Sequence, residues 1–293
     1  MKKITENIHD FEVQPTHSPS KTARELYDNF LTFRNTFDQL PQAELVKRGW
    51  IERAGDYSSM LPLMKEINSG RQNVLYRRAD NANDALCTAW VSIVTMKAKI
   101  SSILEPTTNF EGIDKDYLKY VARLSVDETI PINLPDILRE KGIILVYEPS
   151  LPRMKLDGVV FKLKSGNPVI GHSFRYPRLD NFWFTLMHEL AHIVLHLDDL
   201  ETPIYEDLEI ENNDIKELQA NRLAKSSFVS RNEWRSCEPK YDKNNEVLID
   251  FAEKQGVHPA IIAGMLRNEE NNYTLYNDII NGVDIRKMVL NND

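Results

Sequence analysis

The stretch Phe182-Trp183-Phe184-Thr185-Leu186-Met187-His188-Glu189-Leu190-Ala191-His192 constrains this chain more than any other. It sets H-E-x-x-H inside an apolar run with helical spacing. Residues four apart on a helix share a face about one turn apart, so two imidazoles can bind one ion while the intervening glutamate is directed at a third corner. Met187, Leu190, Ala191, Val194 and Leu195 surround the polar residues with core-type side chains. Two buried histidines and a glutamate without partners would each cost about 1–3 kcal/mol. A metal ion supplies those partners. The competing reading has both histidines bonded to backbone carbonyls and Glu189 in an ion pair.

A catalytic zinc takes three protein ligands and keeps one position for water, and a carboxylate from a second helix is a common third ligand. Glu217 in Lys216-Glu217-Leu218-Gln219-Ala220-Asn221-Arg222-Leu223-Ala224 is the leading candidate, because Ala220 and Ala224 let that helix pack closely on the first. Asn221, four positions on, shares its face and is placed to hold a ligand imidazole through the ring's other N–H. His196 is excluded as a ligand, since it lies about 12 Å along the axis from His188 at 1.5 Å per residue. With zinc bound by His188, His192 and Glu217, Glu189 would take a proton from an acidified water and pass it to a leaving amine. His172, Arg175 and Tyr176, just before the helix, are candidates for a second donor to the developing oxyanion. The expected chemistry is amide hydrolysis.

The remaining sequence frames that helix. Residues 1–19 are polar and aperiodic and read as a flexible tail, residues 20–130 as a mostly helical N-terminal region, and residues 131–293 as the domain holding the site. Leu26, Phe30, Phe33 and Phe37 recur at threes and fours, and Ala85 to Ile103 forms a long apolar stripe. Helices follow at about 116–124 and 134–141, the second ended by Gly142 in the C-cap position. Ile143 to Tyr147, Gly158 to Leu163 and Asn167 to Ser173 read as strands of a small antiparallel sheet, with Lys164-Ser165-Gly166-Asn167 as a hairpin turn. Asp180 is expected to cap the H-E-x-x-H helix, which runs to Leu197. Further helices are expected at about 214–228, 245–254 and 259–268. The fold class is therefore α+β.

Bulk properties narrow the function classes. The 293 residues carry a formal net charge of −8, which argues against a broad phosphate-binding surface. No apolar segment approaches the roughly 18 residues needed to cross a bilayer. Met1-Lys2-Lys3 is followed by polar residues and not by the apolar stretch of a secretory leader, so a cytoplasmic protein is expected. Cys87 and Cys237 are far apart in sequence and read as ordinary reduced thiols. The acidic run from Asp198 to Glu211 reads as a solvated loop.

From Ile132 to about Asn268 the sequence resembles the ImmA/IrrE family of intracellular metallopeptidases, especially the version fused to HigA-type antitoxins. The segments that carry the likeness are the strand pair at 158–173, Arg175 through His196, Glu217 to Ala224, and Phe251 to Leu266. The resemblance implies a zincin fold, zinc at the positions of His188, His192 and Glu217, Glu189 as the base, and cleavage of a repressor protein. A thinner likeness reaches back through Leu40-Pro41 and Gly49-Trp50-Ile51, but the helix-turn-helix domain of those relatives is missing. Phe251 to Leu266 has a helix-turn-helix outline that equally suits two helices packed on a zincin core. The partner is accordingly expected to be a protein, a repressor or an antitoxin-type component, and direct DNA contact is not expected. The alternative function is a toxin-antitoxin or phage-defence component that uses the fold as a binding module or toxin.

Overall fold

A computed structural model describes residues 37–58, 82–105, 107–200, 204–206 and 215–290, with scattered positions between 24 and 35. The tail expected at 1–19 and the acidic residues at 207–211 lie outside the described residues. A four-stranded sheet sits in the middle, built from β1 (Ile144–Tyr147), β2 (Gly158–Lys162), β3 (Pro168–His172) and β4 (Ile204–Glu206). Its spatial order is β1-β3-β2-β4.

The sheet is mixed, which corrects the antiparallel expectation. β2 pairs antiparallel with β3 and with β4, but β1 runs parallel to β3, with Ile144 opposite Val169. The hairpin turn forms where it was expected: Gly166 has φ 94° and the Leu163 amide donates to the Asn167 carbonyl at 2.9 Å. After β1 the chain leaves through a loop carrying Pro149 and Pro152, and the β2–β3 hairpin inserts β3 beside β1. Local turn signals mark strands adjacent in sequence but do not say which strand inserts between others.

Both faces of the sheet are covered, so its strands read as near-continuous apolar runs. Ile144, Val146, Val159, Phe161 and Val169 face a layer formed by α1 (Gln42–Lys47) and the long α2 (Ala82–Leu104), whose Trp90, Val91 and Val94 are fully buried. Gly171 permits the close approach of α2, since a Cβ there would meet Val94 Cγ1 and Val159 Cγ1 at 2.8 Å. Leu145, Val160 and Ile170 face the opposite core. That core holds α3 (Lys115–Arg123), α4 (Ile130–Arg139), the H-E-x-x-H helix α5 (Leu179–His196) and α6 (Ile215–Phe228), with further helices behind them.

Helix α5 starts two residues earlier than expected and without a side-chain cap. Its N-cap is Arg178, and Asp180 lies inside the first turn, buried, with one carboxylate oxygen 3.1 Å from Arg178 Nε. Asp180 is drawn inward because α9 (Pro259–Glu270) packs there: a Cβ at Gly264 would come within 2.7 Å of its Oδ2. Before α9 come α7 (Arg231–Arg235) and α8 (Asn245–Gln255), and after it α10 (Asn277–Ile280) and α11 (Ile285–Leu290). Gly256, at φ 65°, turns the chain between α8 and α9, and Ala260 through Arg267 are all buried. The helix-turn-helix outline at 251–266 is thus a pair of helices packed into this core. Among the described residues, no helix is long and apolar enough to cross a membrane.

Candidate metal centre

Helix α5 buries nearly its whole circumference, including His188, Glu189 and His192. Helix α6 crosses it with Ala220 and Ala224 at the contact, and these small side chains bring Glu217 down onto the histidines. The result is a group of three donors, His188, His192 and Glu217, whose ligand atoms lie within 4.8 Å of one another. His188 Nε2 stands 3.1 Å from Glu217 Oε2 and 2.9 Å from His192 Nε2, and His192 Nε2 stands 3.4 Å from Glu217 Oε1.

These separations fit a zinc ion. Zn–N and Zn–O bonds of about 2.0–2.1 Å in a tetrahedron put neighbouring donor atoms roughly 3.3 Å apart. Two imidazole nitrogens and a carboxylate are also the donor set of a hydrolytic zinc site that leaves one position open. Asn221 supplies the outer support. Its Oδ1 lies 3.0 Å from His188 Nδ1, so Nδ1 carries a proton and donates, and with a metal bound Nε2 would be free to turn its lone pair to the ion. His196 lies beside His192, with ring centroids 5.3 Å apart, and outside the donor group.

The surroundings push the two carboxyl groups of the site in opposite directions. Burial pushes Glu217 up, but hydrogen bonds from both histidines and their charge outweigh it and bring the group to about 2, so it is an anion. Glu189 is fully buried, and neither of its oxygens has a hydrogen-bond partner among the described residues. Burial raises its carboxyl well above the usual range, and the charges of Glu217 and Asp157 add to the effect. An unsatisfied buried carboxyl next to an open coordination position is where a proton acceptor for a bound water belongs.

Two neighbours of Glu189 carry no signal in the sequence. Gly158 opens β2 directly against it, and a Cβ there would come within 2.3 Å of Glu189 Oε1 and 2.7 Å of Thr185 Cγ2. Asp157 is buried beside it and pairs with Arg175, Nη1 to Oδ2 at 3.4 Å. In sequence an Asp-Gly pair reads as a turn, and only the strand order brings it to α5. Of the three donor candidates before α5, Arg175 is thus committed to Asp157 and lies over the Tyr176 ring at 5.1 Å. His172 packs among Tyr147, Phe174 and Phe182, accepts the Phe174 amide on Nδ1 at 3.1 Å, and is lowered by burial to about 3. It is a neutral core residue.

A buried helix carrying two imidazoles, a carboxylate from a second helix and a sheet lying against the intervening glutamate define a zincin-type domain. Residues 139–267 match the family described as the IrrE N-terminal-like domain, Peptidase_M78, a segment that runs from the end of α4 into α9 and includes all four site residues. That match supports an ImmA/IrrE-type metallopeptidase domain over residues 139–267. No curated protein gives a match.

Proposed function

We propose that this chain is an intracellular zinc-dependent endopeptidase that cleaves a partner protein, a transcriptional repressor, in a stress- or phage-related response. The observation that carries the catalytic part is the convergence of His188 Nε2, His192 Nε2 and the Glu217 carboxylate beside the unpartnered, buried carboxyl of Glu189. His188, His192 and Glu217 would hold the zinc, with Asn221 fixing the tautomer of His188. When bound, zinc supplies acidification of a water and polarisation of the scissile carbonyl. With zinc held there, Glu189 would take a proton from a water in the site and pass it to the leaving nitrogen. That carboxyl is fully buried with Gly158 against it, which keeps bulk water from competing for it. The similarity to the ImmA/IrrE family is what suggests a repressor as target, and the partner is expected to be encoded nearby.

The test is co-expression with the product of the neighbouring gene, followed by mass spectrometry of that product. Wild type should yield defined fragments, and Glu189→Gln should yield none while retaining zinc. If zinc is bound, the partner stays whole and Glu189→Gln preserves the cellular phenotype, the domain acts as a partner-binding module instead.

A further inference from the structure

An open cleft of about 610 Å³ lies between the loop at 150–155, the residues leading into α5, and α11. Four of the side chains that line it are cationic, Arg153, Lys155, Arg175 and Arg286, and none of its lining residues is an acid. That concentration stands out on a chain with a formal charge of −8. The cations are also organised. Arg286 is fixed by the main chain, donating from Nε to the Phe174 carbonyl at 2.9 Å and from Nη2 to the Arg175 carbonyl at 2.7 Å. Arg175 is fixed by Asp157 and the Tyr176 ring. Arg153 and Lys155 stand exposed at the mouth. Arg153 adopts φ 69°, a left-handed conformation that disfavours a side chain with a Cβ, within a turn closed by the Met154 amide on the Leu151 carbonyl at 3.0 Å.

The cleft is linked to the metal centre through one of its lining cations. Arg175 reaches Asp157, the next residue is Gly158, and Gly158 lies against the Glu189 carboxyl. We propose that this cleft is a subsite for an acidic segment of a polypeptide, so that the chain selects a partner with carboxylates flanking the bond presented to Glu189. This rests on the peptidase reading for its purpose, though binding to the cleft does not require catalysis. An acidic peptide is favoured over nucleic acid because the cations gather in one concavity, linked through Arg175, Asp157 and Gly158 to Glu189, whereas a phosphate backbone is followed by basic residues spread along a face.

The experiment is fluorescence anisotropy of labelled hexaglutamate titrated with the full chain, its Glu189→Gln variant, and an Arg153→Glu, Lys155→Glu double variant of unchanged melting temperature. Reversing two exposed mouth charges should weaken hexaglutamate binding about tenfold or more, and Glu189→Gln should leave it intact. Equal binding by the charge-reversed variant overturns the proposal, as does no binding by wild type or tighter binding of an oligothymidylate of matched charge. If hexaglutamate binding behaves as expected while no partner is cleaved, the peptidase reading fails alone. If cleavage depends on Glu189 while hexaglutamate binding ignores the mouth charges, the subsite fails alone.

Discussion

At the scale of single residues, Gly158 shows how little room surrounds the Glu189 carboxyl. A methyl group 2.3 Å from Glu189 Oε1 cannot be accommodated without moving one of them. Gly158→Ala should therefore displace Glu189 and lower kcat/KM at least tenfold, since small misplacements of a reacting group are costly, while zinc content stays at the wild-type level. Retained activity would show that the contact is incidental. His172 gives a prediction about pH. Burial lowers it from 6.5 to about 3, so the folded protein keeps it neutral while the unfolded chain protonates below about 6.5. Its contribution is intact above 6.5 and is lost as pH falls toward 3, at roughly 1.4 kcal/mol per pH unit. His172→Phe should be less stable than wild type at pH 7 and should narrow that gap as thermal melts are repeated down to pH 4. A gap constant with pH would contradict the neutral assignment. The pairing of His188 with His192 was legible in sequence because helical spacing aligns them, and Glu217 joins them through the packing of α6 on α5 at Ala220 and Ala224. Asp157 and Gly158 were not, because strand insertion brings them to α5.

At the scale of elements, the same contrast separates what local pattern determines from what packing decides. The periodicity around H-E-x-x-H gave α5, the Gly166 turn gave the β2–β3 hairpin, and Gly142 and Gly256 ended helices in left-handed conformations. The parallel placement of β1 escaped, since nothing in residues 143–147 distinguishes a parallel from an antiparallel partner. Asp180 misled because a first-turn aspartate looks the same in sequence whether it caps the helix or is turned into a core by a neighbouring helix. One buried carboxylate links the helical layer to the sheet. Glu148, just past β1, accepts from Lys97 Nζ of α2 at 2.6 Å and from Arg48 Nη1 beyond α1 at 3.1 Å, and its carbonyl accepts from Trp90 Nε1 at 2.9 Å. Glu148→Gln should cost about 2–3 kcal/mol, below the value for a fully buried pair because Lys97 is half exposed. Chemical denaturation would register this as a lower midpoint, with zinc binding unaffected. An unchanged midpoint would mean the layer is held by its apolar contacts alone.

At the scale of the whole molecule, the sheet divides two cores, and the metal centre belongs to only one of them. The face bearing Leu145, Val160 and Ile170 supports α5, and the face bearing Ile144, Val146 and Val159 supports α2. The class of the molecule was readable because its chemistry sits on two helices with strong local signatures. The identity of the substrate was not, because recognition depends on surfaces assembled from distant segments, such as the cleft between residues 150–155 and α11. The most direct test of the metal centre is zinc per chain by inductively coupled plasma mass spectrometry, on protein purified from zinc-replete cells. Wild type and Glu189→Gln should each carry about one zinc, while His188→Ala and Glu217→Ala should carry almost none, because loss of one of three ligands removes much of the binding energy. Zinc absent from wild type, or retained equally by the ligand variants, would contradict a metal centre built from His188, His192 and Glu217.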